Sequence, residues 1–156
     1  MSKIIYTTGD ITDPLLTEER GGNCIVQVVN NINVYGAGVS GAIARKWPVV
    51  EQRYRAMPES NKLGISEFIR INPNLFIVNM CAQNGVRFKS SEKKPLRYGY
   101  LALCLTTIST CSPRFSRVHM PKIGCGLAGG NWDIVSEIVE DILCGKGIEV
   151  YVYVKD

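Results

Sequence analysis

Histidine occurs once in these 156 residues, at position 119, and none of the six cysteines forms a C-x-x-C pair. A structural zinc site needs closely spaced Cys and His ligands, so no metal is expected. No apolar run approaches the roughly 20 residues that cross a bilayer. The start, MSKIIYTTGD, holds a strand-sized apolar patch and no signal-peptide core. A cytoplasmic protein with no membrane association is the expectation, and without a secretory signal its cysteines are expected as free thiols. Cys24, Cys81 and Cys104 sit in apolar stretches and read as small buried hydrophobes. Internal repeats, low-complexity tracts and linkers are all missing, so residues 1–156 read as one domain. The pattern GxxxxGK[ST] is absent, which argues against a P-loop kinase or ATPase. There is no RRM-type aromatic motif and no Arg-rich stripe, and the net charge is a mild +4, so stable nucleic-acid binding is not expected. The densest basic run, RFKSSEKK from Arg87 to Lys94, reads as a solvated loop first and a phosphate-reaching loop second.

What remains is an ordinary globular composition, 46% hydrophobic and 21% charged. KIIYTT at Lys3 to Thr8 is rich in β-branched and aromatic residues and predicts a strand. NCIVQVVNN at Asn23 to Asn31 is a nearly continuous apolar run, too short for a helix, which predicts a strand covered on both faces. GAIARKWPVVEQRYRAM reads as helix with a break at Pro48. SEFIRINPNLFIVNMCAQ reads as two strands joined at Asn72-Pro73-Asn74. PLRYGYLALCLTTISTC has Leu96, Tyr100, Leu103 and Thr107 at helical spacing, with Pro95 fitting a first turn. RVHMPKI predicts a strand ending at Lys122-Ile123. In NWDIVSEIVEDILCGKG, Asn131 can cap a helix carrying Asp133 in its first turn. Ile134, Val135, Ile138, Ile142 and Leu143 would form its apolar stripe and Gly145 its end. IEVYVYV closes the chain as a strand. Strands alternating with helices predict a three-layer α/β/α domain around a mixed, mostly parallel sheet.

Two segments follow one pattern. Asn30-Asn31 end a buried strand, then come Gly36, Ala37 and Gly38 and a helix from about Val39. Lys122-Ile123 end another, then come Gly124, Gly126, Gly129 and Gly130 and a helix. In α/β folds ligands bind beyond the carboxyl ends of the strands. Glycine admits close backbone approach and positive φ, and successive N–H groups with a helix N-terminus suit phosphate. Either segment alone is also a plain tight turn. Together they favour an anionic, nucleotide-like ligand. Gly124 to Gly129 fits G-x-G-x-x-G formally, but lies near the C-terminus instead of after the first strand, where a dinucleotide fold needs it.

YTTGDIT, VQVVNN…YGAGVSGAIARKWP and MPKIGCGLAGGNW, in that order along nearly the whole chain, resemble the macrodomain family. The likeness is to its phage and bacterial branch, related to ADP-ribose-1''-phosphate phosphatases and terminal ADP-ribose glycohydrolases. The resemblance implies a monomer that binds ADP-ribose or a derivative and needs no cofactor. Asp10 would accept from the adenine amino group, the Ile11 N–H would reach a ring nitrogen, and Tyr153 would pack against adenine. Gly36, Ala37, Gly38 and Val39 would line one side of the diphosphate. Ile123, Gly124, Cys125, Gly126, Leu127 and Ala128 would line the other. Asn30 falls near the distal ribose, and with Asn31 it is the candidate for holding a catalytic water. Read blandly, Asp10 is a turn former, Asn30 a strand-end cap and Tyr153 an ordinary strand aromatic. The glycohydrolase relatives carry a Lys where this chain has Gln83 and an Asp where it has Ala128, which argues against a lysine adduct. A phosphatase relative has a His where Gln27 stands, and His119 reads as structural. Hydrolysis of an adduct on the distal ribose, with ADP-ribose 1''-phosphate the first substrate, is the enzymatic expectation. A non-catalytic reader of ADP-ribose and a hydrolase of ADP-ribosylated protein or nucleic acid are the alternatives.

Overall fold

The buried run becomes strand β2, Asn23–Asn30, the central scaffold of the sheet. Its side chains alternate between two cores: Cys24 and Val26 enter one, and Ile25 enters the other. This is the physical reason the run lacks polar alternation, since both faces are covered. The computed structural model describes residues 3–18, 22–58, 62–89 and 91–155, so Ser90 of the basic run lies outside the described residues. Strand β1 is Ile5–Thr8. After β2 come helices α1, Gly38–Lys46, and α2, Pro48–Ala56, then strands β3, Ser66–Asn72, and β4, Leu75–Gln83. Helix α3 is Tyr98–Thr110, β5 is Arg117–Met120, α4 is Trp132–Ile142, and β6 is Glu149–Val154 after one 3₁₀ turn at Cys144–Lys146.

The sheet order is β1-β6-β5-β2-β4-β3, parallel throughout except for the antiparallel pair β3 and β4. Ile43 of α1 and Val50 of α2 pack with Ile25 and Ile77 on one face. Leu101 and Leu105 of α3 and Val135 and Val139 of α4 pack with Val26, Val78 and Val118 on the other. The three layers are therefore as expected from the sequence. The chain leaves β2 toward β4 and leaves β5 toward β6, in opposite directions along the sheet. The crevice between the carboxyl ends of these two neighbours is the switch point at which such sheets bind ligands. Among the described residues no helix is long and apolar enough to cross a membrane.

Pro48 does divide the first helical stretch, standing at the start of α2 while the Trp47 N–H closes α1 on the Ile43 carbonyl at 2.7 Å. The Asn72-Pro73-Asn74 turn also forms, with the Asn74 N–H on Asn72 Oδ1 at 2.9 Å. Five details differ. Pro95 precedes α3 instead of entering its first turn, because Leu96 pairs with Gln83 as a short bridge first. The buried face of α3 is Leu101, Cys104, Leu105 and Ile108, while Tyr100, Leu103 and Thr107 stay exposed. Strand β5 ends at Met120, and Ile123 is buried as a loop residue. The α4 stripe is centred on Val135 and Val139 with Ile134 at 43% exposure, and the turn that stops the segment uses Gly147 at φ 79°, not Gly145.

His119 lies in the middle of the sheet with none of its surface exposed. Asn23 Oδ1 accepts from the Thr17 N–H, and its Nδ2 donates to the Thr17 and Asn74 carbonyls. That fixes Oδ1 as acceptor for the His119 Nε2–H at 2.9 Å, so Nδ1 accepts from the Tyr153 hydroxyl at 2.7 Å. Burial, helped by the charge of Arg117, holds the imidazole at about 4. It is a neutral structural strut.

Candidate functional site

A cleft of about 520 Å³ opens beyond the ends of β2, β4 and β5. The loop after β2 and the start of α1 form one wall, through Gly36, Ala37, Gly38 and Val39. The loop after β5 forms the other, through Ile123, Gly124, Gly126, Leu127 and Ala128. Asn30 and Gln83 lie at the strand ends between them. Among the described residues lining the cleft the ionisable side chains of fixed charge are Arg87 and Lys122, and none is a carboxylate. The space is thus electropositive before any backbone dipole is counted.

The first wall is built by polar residues on β2. Asn30 Oδ1 accepts from the Ile32 and Val34 N–H groups at 3.0 and 3.2 Å, and Nδ2 donates to the Val34 carbonyl at 2.6 Å. The Tyr54 hydroxyl joins the same oxygen at 2.8 Å. Asn31 is tied to the loop after β4, with Oδ1 accepting from the Gly85 N–H at 2.8 Å and Nδ2 donating to Asn84 Oδ1 at 3.1 Å. The first candidate catalytic pair therefore spends its oxygens on loop geometry. Below them, Gln27 faces Asn79 across the strands and donates to its Oδ1 at 2.8 Å and to the Tyr35 hydroxyl at 3.0 Å. Ser40 donates to Gln27 Oε1 at 3.1 Å, which pins the first turn of α1 over the sheet.

That turn is open. Ala37 stands at the N-cap with no side-chain bond, and no acidic residue follows in the first turn. Among the described residues nothing accepts from the N–H groups of Gly36 to Val39. Four unsatisfied donors and the positive end of the helix dipole suit an anion. Gly36 and Gly38 have φ of 115° and 55°, which is why glycine stands there. A Cβ on either would meet nothing within 4 Å, so the space beside them is free.

The second wall offers loop peptides, not a helix end. Asn131 caps α4 by accepting from the Asp133 N–H at 2.9 Å, and its own N–H donates to the Tyr98 hydroxyl at 3.0 Å. Upstream, nothing among the described residues accepts from the N–H groups of Gly124 to Ala128. Gly124 and Gly129 need positive φ, at 70° and 82°. Gly130 is a close-packing glycine, since a Cβ there would stand 2.5 Å from the Gly124 carbonyl oxygen. Gly126 has neither constraint, and a Cβ on it would enter open space within the cleft. Cys125 is turned away from the cleft, its Sγ on the Ile123 carbonyl at 3.3 Å, and burial raises its thiol pKa.

Asp10, Ile11 and Tyr153 stand apart from these walls but on the same carboxyl edge, because β1, β6, β5 and β2 all run parallel. Three strand spacings separate β1 from β2, about 14 Å. Asp10 is exposed and its Oδ1 accepts from the Thr12 N–H at 2.9 Å and hydroxyl at 2.8 Å, which hold its carboxyl below the usual range. Ile11 is buried beside Tyr153. Tyr153 is only 5% exposed, and its ring supports Gly9 from below, 3.8 Å from where a Cβ would be. Sequence reasoning missed Tyr35, Ser40 and Lys122 as lining residues. Arg87 departs from the first reading of its run, as a solvated loop, and follows the second, as a phosphate-reaching one: it is 9% exposed and lines the cleft. Among the described residues no three His, Cys, Asp or Glu side chains converge as a metal site requires.

No family model and no curated protein matches the sequence. Solved structures do. A Bacteroides thetaiotaomicron protein of unknown function is 34% identical over 99% of this chain and 98% of its own, with a TM-score of 0.87. A macrodomain protein from Streptomyces coelicolor is 32% identical over 97% of this chain and 99% of its own, with a TM-score of 0.79. The Trypanosoma brucei macrodomain in complex with ADP-ribose shares the fold at 16% identity and a TM-score of 0.62, over 96% of this chain and 63% of its own.

Proposed function

The chain belongs to the macrodomain family, and from that premise we propose that its cleft binds ADP-ribose or a derivative of it. One observation carries the reading: on opposite walls of the cleft lie two rows of N–H groups with no acceptor among the described residues, and the described side chains lining it include two cations and no carboxylate. A diphosphate fits between such walls. Asp10 and the Ile11 N–H, about 14 Å away along the same sheet edge, take the adenine amino group and a ring nitrogen, and Tyr153 supports that end. Asn30 and Asn31 hold the loop geometry around the distal ribose. A Trypanosoma brucei macrodomain with ADP-ribose bound supports the ligand. Calorimetry tests it. ADP-ribose binds in the micromolar range and more tightly than AMP, whereas equal affinity for the two sinks the reading, because the walls would then recognise no diphosphate-ribose.

A second reading, hydrolysis at the distal ribose with ADP-ribose 1''-phosphate as substrate, is favoured by Arg87 and Lys122 lining the cleft. Two cations beside a phosphate monoester stabilise charge that develops as phosphate leaves. Among the described residues no carboxylate, histidine or cysteine lines the cleft to act as a base, so turnover would be slow and would lean on the substrate's own phosphate. Phosphate release from ADP-ribose 1''-phosphate, followed by mass spectrometry, decides between enzyme and reader. Borohydride trapping of no lysine adduct is expected in either case.

A further inference from the structure

The second wall works only if its peptides keep their N–H groups outward, and the structure shows what holds all but one of their carbonyls. Of the carbonyls from Ile123 to Ala128, all but that of Cys125 accept from a protein donor among the described residues. Gly124 accepts from the Gly130 N–H at 2.8 Å, Gly126 from the Gly129 N–H at 3.0 Å, and Ala128 from the Leu96 N–H at 3.1 Å. The Ile123 carbonyl has the Cys125 thiol. The Leu127 carbonyl has the Nε–H of Arg87.

A trans peptide is planar, with its C=O and the following N–H antiparallel. A donor that holds one carbonyl inward therefore aims the next N–H outward. For the peptide between Leu127 and Ala128 that donor is a side chain, not the loop's own backbone, and it comes from a different loop. Arg87 is 9% exposed, lines the cleft, and is steadied by Nη1 donating to the Glu92 carbonyl at 3.3 Å. Gly129 leaves room for it: a Cβ there would stand 2.8 Å from Arg87 Nη2.

We infer that Arg87 is a positioning residue of the anion cradle. By holding the Leu127 carbonyl it keeps the Ala128 N–H turned into the cleft, and without it that peptide flips and presents an oxygen to the ligand's phosphates. The inference rests on the reading of the cleft as an ADP-ribose site. Its chemistry is specific to Nε, which suggests the test. Glutamine carries its Nε2 at the same position along the side chain as arginine carries Nε, with a donor and no charge.

Arg87→Met, which keeps the apolar stem and removes every donor, should weaken ADP-ribose binding about ten- to hundredfold. Its binding of adenosine, followed by NMR, should stay within about twofold. Arg87→Gln should recover most of the loss. In the ligand-free protein the Ala128 amide resonance should move in Arg87→Met and return toward the wild-type position in Arg87→Gln. Wild-type affinity in Arg87→Met overturns the inference, as does an equal loss for adenosine. Recovery by Arg87→Lys but not by Arg87→Gln also overturns it, since charge alone would then be responsible. If Arg87→Met does not fold, the Gln and Lys variants decide on the same criterion. If the wild-type protein binds no ADP-ribose, the proposed function fails by itself. The ligand-free Ala128 resonance still judges the lock: unchanged in Arg87→Met, it overturns the inference.

Discussion

The neutral state of His119 makes acid the sharpest perturbation of this fold. In the folded chain the ring is buried with both nitrogens bonded, and its pKa is held at about 4. In the unfolded chain a histidine titrates at about 6.5. Above pH 6.5 the ring is neutral in both states and adds no pH dependence. As pH falls below 6.5 the unfolded chain takes up the proton first, so stability drops until the folded ring protonates near pH 4. At about 1.4 kcal/mol for each pH unit, the loss across that window totals about 3 kcal/mol. Urea unfolding of the wild type and of His119→Gln, measured between pH 7 and pH 4, isolates the contribution, because the carboxylates titrate alike in both. The difference in unfolding free energy should shrink by about that amount on the way down. Since the sequence has a single histidine, its ring resonance reports the folded pKa without assignment. A titration midpoint at 6 or above, or a pH-independent difference between the two proteins, would refute the argument.

Gly126→Val should keep the wild-type melting temperature and lose ADP-ribose binding, because its side chain would enter open cleft space where φ needs no glycine; calorimetry and a thermal melt on one preparation check both halves. Gly124→Ala should instead lower stability by about 1–2 kcal/mol, the cost of a Cβ in the left-handed region, aggravated by Leu96 at 2.9 Å; denaturant unfolding measures it. Asp10→Ala should weaken ADP-ribose more than it weakens ribose 5-phosphate, if its carboxylate takes the adenine amino group. Six thiols should titrate under denaturing conditions, with Cys125 slow to react in the folded protein at pH 7 because burial raises its pKa.

The layers, the Pro48 break and the hairpin were legible because each rests on a local rule: two-sided burial, a missing N–H, a turn tripeptide. The face of α3 was not. YGYLALCLTTIST is apolar almost all round, so its period does not say which side is covered. Tyr100 and Leu103 instead close over Gly64, where a Cβ would stand 3.0 Å from the Tyr100 ring. The end of β5 was misplaced for a related reason: Ile123 is as buried as a strand residue while belonging to a loop. Choosing Gly147 over Gly145 required a backbone angle, which the letters CGKG do not contain.

The two glycine segments look alike as sequence, yet they work by different means, and the capping residues say so. A helix end is open to a ligand only if nothing local has satisfied it. Ala37 has no side chain to do this, so α1 presents its own N-terminus to the cleft. Asn131 and Asp133 close α4, so that segment can offer only the peptides before the helix. Loop peptides have no ladder to orient them, so all but one of these carbonyls are turned by separate bonds. Three of those bonds come from the loop itself, the fourth from the Leu96 N–H in the segment before α3, and the fifth from a side chain 40 positions upstream in a run that reads first as solvent-facing. The anion site was legible to the extent that its donors are local. The hold of Arg87 on the Leu127 carbonyl was not legible, because the sequence does not mark which carbonyl a side chain will meet.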